Sequence, residues 1–133
     1  MNHFQAVYYR DPAGFEPVRD FVDALPEQIQ AAVENQIARL NLLTDEIPHL
    51  PFPHSSQIKG ELRELRCHHG RHLYRIFYRR SGRLVILLHV FPKRSAKIPA
   101  ADIDLAQQRW ADFKARMNAA HRVPPRAAGR DAP

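Results

Sequence analysis

The run from Gly60 to Phe91 constrains this chain most, because three strand-like segments follow one another there with only short connections between them. The segments cover about residues 60–67, 71–80 and 83–91, with His68-His69-Gly70 and Ser81-Gly82 as the intervening turns. Parallel neighbours need a long crossover, so these connections predict an antiparallel meander. The third segment, LVILLHVF, is almost continuously apolar, which suits a central strand covered on both faces. The second, HLYRIFYRR, alternates instead. Leu73, Arg75, Phe77 and Arg79 share one face, and Tyr74, Ile76 and Tyr78 share the other. Arg75 therefore lies within a strand that otherwise reads as buried.

The flanking segments supply the other layer. Residues 3–10, HFQAVYYR, read as a first strand ending at the turn cluster Asp11-Pro12-Ala13-Gly14. Phe15, Val18, Val22 and Leu25 then recur at helical spacing up to Pro26, which can open a second helix with Ile29, Val33, Ile37 and Leu40 as its apolar stripe. Residues 44–58 carry Pro48, Pro51 and Pro53 and read as a surface loop. Pro99 opens a last helix with Asp102 and Asp104 near its positive end, and Ile103, Ala106, Trp110, Phe113 and Met117 on its buried face. From His121 the composition VPPRAAGRDAP has no apolar periodicity and predicts a disordered tail. With 133 residues, the expected organisation is one α+β domain over 1–120 and a tail over 121–133.

Charge is segregated along the chain. Residues 59–97 hold eleven Lys/Arg against Glu61 and Glu64, whereas residues 1–58 hold three against eight Asp/Glu. The net charge of +6 points to a polyanionic partner such as RNA, or to an acidic protein. No apolar run approaches 18 residues, and the N-terminus lacks a basic stretch followed by an apolar one, so neither a membrane span nor secretion is expected. A single cysteine, Cys67, leaves no disulfide framework and reads as inert, and the cytoplasm is the expected compartment.

No phosphate-binding glycine loop, HExxH, cysteine knuckle or serine elbow occurs. His68, His69 and His72 cluster without nearby carboxylates and suit a solvated turn, so neither metal nor cofactor is expected. What remains is Arg, Lys and His on strands and in the segment after them. RNA carries its own nucleophile, the 2′-hydroxyl, so metal-free cleavage needs a base, an acid and cations around the phosphorane. The planar fork of arginine suits the phosphoryl charge. Arg75 is the first choice for that role, its alternative being an edge arginine paired with Glu64. Arg66, at the end of its strand, and Lys93 complete the catalytic candidates. Arg63, Arg94 and Lys97 are candidates for RNA binding. His89, inside an apolar strand, reads as a core histidine.

The order of three fragments resembles the phage Gp49-like, HigB-type branch of the RelE/ParE toxin superfamily. They are Gly60-Glu61-Leu62-Arg63-Glu64-Leu65-Arg66, then Tyr74-Arg75-Ile76-Phe77-Tyr78, then Leu87-Leu88-His89-Val90-Phe91-Pro92-Lys93-Arg94 with Lys97 and Pro99. The likeness extends more weakly through Phe21 to Pro26 and covers about residues 4–115. It implies a RelE-like α+β fold: a small antiparallel sheet with an N-terminal strand, a helical hairpin and a C-terminal helix. It also implies a type II toxin, an endoribonuclease that cleaves messenger RNA in the ribosomal A site. The implied partner is a HigA-like helix-turn-helix antitoxin, with operator DNA met only through that complex. By position, Arg75 matches the arginine of the tyrosine-arginine strand motif and Arg66 the basic end of the preceding strand. Lys93 and Arg94 match the basic pair after the last strand, and Lys97 the branch's second lysine. The usual Lys-Lys-Thr is Lys93-Arg94-Ser95 here, and Ile98-Pro99 replaces Thr-Pro, losing a capping oxygen worth about 1 kcal/mol at most.

Two other functions fit the same residues less closely. A ParE-like, non-enzymatic inhibitor of DNA gyrase needs no phosphate-stabilising cluster. A degenerate toxin kept as an antitoxin-binding or operator-binding module would use the cationic surface for recognition alone.

Overall fold

Alternating burial along the second half of the chain builds a sheet, and the helices close over its two faces. The computed structural model describes residues 3–119 and 123–129. Its elements are β1 (Gln5–Tyr8), α1 (Pro17–Asp23), α2 (Glu27–Leu40), β2 (Ser55–Lys59), β3 (Leu62–His69), β4 (His72–Ser81), β5 (Leu84–Pro92) and α3 (Ala100–Met117). The five strands form one sheet in the order β1-β5-β4-β3-β2.

The meander expected from the short connections is present: β3 pairs antiparallel with β4, and β4 with β5. The sheet as a whole is mixed, however, because β1 lies parallel to β5, with Gln5 opposite Leu84 and Tyr8 opposite Leu87. Two helices and three strands separate this pair in the chain, ample length for the crossover that parallel pairing demands. A further strand, β2, falls in the segment expected to be loop. Only Ser55 of SSQIK is buried, as befits a polar edge strand with one neighbour, so no apolar alternation announced it.

β5 has the two-sided cover expected of it. Val85, Leu87 and Val90 pack on the α1/α2 side with Val18, Val22, Val33 and Ile37. Ile86 and Leu88 face α3 and meet Phe77, Ala106 and Phe113. The alternation of β4 is likewise observed: Tyr74, Ile76 and Tyr78 belong to the first layer, and Phe77 to the second. Phe15, which the helical spacing placed on α1, instead precedes the helix and is exposed.

The tail departs from expectation where it is described. Residues 126–128 lie against the outer edge of β1: Tyr8 N donates to Arg126 O at 2.9 Å, Ala128 N donates to Ala6 O at 2.7 Å, and Val7 bridges Ala127 antiparallel. Ala128 is buried, and Asn41 at the end of α2 ties the two segments, donating from Nδ2 to Ala128 O and accepting from Ala6 N. Backbone pairing and small side chains hold this segment, and neither leaves an apolar period in the sequence. Residues 121, 122 and 130–133 of the expected tail lie outside the described residues.

Candidate functional site

At the end of the sheet where β5 passes into α3, the loop after Pro92 folds back over β4. Lys93 N donates to Leu73 O at 2.8 Å, which pins the start of this loop, and Ser95 Oγ donates to Lys97 O across its bend. The loop encloses a 270 Å³ cavity lined by Arg75, Phe91, Lys93, Arg94, Lys97 and Asp102, together with Pro92, Ser95 and Pro99. Four of the six predicted site residues thus meet in one place. Lys93, Arg94 and Lys97 are exposed, and none has an ion-pair partner among the described residues.

Arg75 differs from the other three, being only 4% exposed. Its Nε lies 3.6 Å from Glu64 Oε2, a carboxylate that is itself 3% exposed. The pairing with Glu64 considered for an edge arginine is therefore real, but the residue sits inside the sheet. Neither Arg75 Nε nor Glu64 Oε2 makes a hydrogen bond. Glu64 Oε1 accepts from Ser56 Oγ at 3.1 Å and lies 3.7 Å from Arg66 Nη1. One carboxylate thus stands between two guanidinium groups that are directly opposite across β3 and β4. It holds Arg75 in place electrostatically while leaving the pair with a net positive charge.

Arg66 is internal to β3, which runs on to His69, rather than at a strand end. Its guanidinium lies 6.0 Å over the Phe52 ring, and it lines a separate hollow with Gln36 and His54, so it reaches the Arg75 cavity only through Glu64. Arg63 is on the opposite face of the sheet, where its Nε donates to Ser55 Oγ at 3.2 Å. It cannot share a ligand atom with Arg75. Cys67 is buried with its thiol pushed up to about 12 by burial, in keeping with an inert role. Among the described residues, no group of three or more His, Cys, Asp or Glu is placed to hold a metal ion.

Reading the sequence for strands and charge did not assemble the pair behind the cavity. His89 Nε2 and Asp102 Oδ1 are 2.6 Å apart, and Arg109 Nη1, which donates to Leu88 O, approaches His89 Nδ1 at 3.4 Å. The imidazole stacks on Phe91 and meets Phe77 edge-on. Burial lowers its pKa below the ordinary value, Asp102 opposes the shift and Arg109 reinforces it. The ring is therefore neutral at pH 7, a partly buried histidine that braces Asp102, the only carboxylate among the described residues lining the cavity. The signal available was the short loop between β5 and α3, which brings the first turn of the helix back onto the strand.

Fold and site together define a small α+β domain that gathers cations, one of them buried and locked by a carboxylate, at one end of a mixed sheet. The chain belongs to the phage-derived Gp49-like protein family (DUF891), whose model matches residues 20–111, a family of RelE/HigB-type toxins. The match includes Arg63, Arg66, Arg75, Lys93, Arg94, Lys97 and Asp102. No curated protein matches the chain.

Proposed function

We propose that this protein is the toxin of a type II toxin-antitoxin pair and cleaves messenger RNA on the ribosome, without a metal, through the RNA 2′-hydroxyl. The observation that carries the reading is the buried Arg75 opening onto a cavity rimmed by Lys93, Arg94 and Lys97. In the reaction the 2′-oxygen attacks phosphorus, the bond from phosphorus to the 5′-oxygen breaks, and a proton reaches that leaving oxygen. The products are a 2′,3′-cyclic phosphate and a 5′-hydroxyl. Arg75, pre-set by Glu64, supplies a fork to the phosphorane oxygens without reorganising, and Lys93 adds charge from the rim. Arg94 and Lys97 hold the neighbouring backbone, and Arg66 supports Arg75 through the shared carboxylate. In this reading Asp102, which lines the cavity and is steadied by neutral His89, accepts the proton of the 2′-hydroxyl.

Membership in the family supports an antitoxin partner, and a helix-turn-helix protein of the HigA kind fits the resemblance, with operator DNA met through the complex. A cationic cavity suits an acidic or amphipathic segment laid across it. The cytoplasm, where ribosomes are, is the compartment this reading requires. Incubation of the purified chain with mRNA-programmed ribosomes and with free mRNA tests it. Cleavage on ribosomes, absent from the Arg75→Ala variant, is the expected result. No cleavage in either setting would favour a gyrase inhibitor of the ParE kind or a degenerate antitoxin-binding module.

A further inference from the structure

A second cationic cavity lies on the other face of the sheet, toward the opposite end. It measures 450 Å³, within the roughly 300–1,000 Å³ range of small-molecule sites, and shares no lining residue with the Arg75 cavity. Arg63 from β3 and Arg80 from β4 both line it, with His49 from the loop before β2. Neither arginine has a carboxylate partner among the described residues. Glu61, at the rim, is engaged by Arg79 at 2.9 Å and does not neutralise them.

Both guanidinium groups are positioned by what they touch. Ser55 Oγ accepts from Arg63 Nε at 3.2 Å and shares a 2.6 Å hydrogen bond with the buried Tyr78 hydroxyl, a chain that fixes the Arg63 head group. Arg80 lies 4.5 Å over the ring of buried Phe4. Burial first, and then Arg63 and Arg80, hold the His49 pKa below the ordinary value, so both charges act on the same space and the imidazole there is neutral. Leu43, Pro48 and Val85 give the cavity an apolar side next to its cationic one.

We propose that this cavity is a second anion site, taking the phosphate of a nucleotide on Arg63 and Arg80 with its base or sugar against the apolar side. The nucleotide is either free or part of an RNA strand, since both present the same group. The pairing of a phosphate-sized charge with an adjoining apolar wall is what distinguishes this cavity from a solvated basic surface. The site stands apart from the reading of Arg75, because no residue is shared.

Backbone amide NMR of the full chain, titrated separately with adenosine 5′-monophosphate and with a short single-stranded RNA, tests the proposal. Shifts at Gly60, Gly82 and His49 with either ligand are expected. Response to the mononucleotide identifies a free nucleotide as sufficient, whereas response to RNA alone identifies the strand; either supports the site. Arg80→Ala, an exposed position, and the double variant R63A/R80A should weaken the response about tenfold or more, and Arg71→Ala, an exposed cation that lines neither cavity, should leave it unchanged. Silence at these amides with both ligands, or shifts that persist undiminished in both variants, would overturn it.

Discussion

Arg75 and Glu64 show how a buried charge can be both stabilised and kept ready. Truncating Arg75 to alanine leaves Glu64 in the sheet with the Ser56 hydroxyl at 3.1 Å and Arg66 at 3.7 Å as its remaining cation. Breaking a buried pair from one side typically costs about 3–5 kcal/mol, and the remaining arginine should hold Arg75→Ala at the lower end, about 3 kcal/mol. Adding Glu64→Gln should recover part of that loss, which urea unfolding of the single and double variants will measure. Arg75→Lys should fold with a smaller penalty yet cleave poorly, because an ammonium group cannot present a paired fork to phosphate. At His89 the expectation concerns pH. A histidine whose folded pKa lies below 6.5 is protonated more readily when unfolded, so its contribution is complete above 6.5 and is lost as pH falls toward the folded value. Denaturation midpoints at pH 7.5 and 5.5 should fall more for the parent chain than for His89→Asn. His49 shifts in the same direction and makes that comparison necessary.

At the scale of elements, the segment 126–128 behaves as an additional edge for β1. Gly129 beside it has φ +102°, and a Cβ there would lie 2.4 Å from Asn41 Nδ2 and 3.2 Å from Ala38 Cα. Gly129→Ala should therefore destabilise by about 1–3 kcal/mol, combining backbone strain with crowding against α2. Thermal unfolding checks this, and Gly14→Ala, at φ +95° with only ordinary contact to the Arg10 side chain at 3.6 Å, separates the two contributions. The contrast between this segment and β5 explains what the sequence could and could not disclose. LVILLHVF announces a central strand because burial on both faces selects apolar residues throughout. SSQIK at β2 and the residues around Ala128 pair through their backbones, which any side chain allows, so neither stood out from loop. The site divides the same way. Arg75, Lys93, Arg94 and Lys97 were traceable through alternation, clustering and family order, whereas the His89–Asp102 contact depends on where α3 docks. Arg63 and Arg66 illustrate the remaining gap, since neighbouring cations on a strand can serve opposite faces or separate hollows.

For the whole molecule, the net charge of +6 means that the proposed binding to RNA should weaken as salt rises. The slope of log affinity against log salt for a single strand is about −0.7 for each neutralised phosphate. Replacing Lys93, Arg94 and Lys97 together by glutamine should flatten it by about 2, measured by fluorescence anisotropy on a non-cleavable RNA. The strand order carries a different consequence, one of timing. Both partners of β1 are made after it, its parallel neighbour at residues 84–87 and its outer partner at 126–128. As the chain emerges from the ribosome, β1 must wait for residues 126–128 before its backbone is paired on both sides. A nascent chain stopped at residue 122 should leave the β1 edge open to protease, and release of the segment that follows should close it. The outer edge of β1 is thus closed only by residues made long after it.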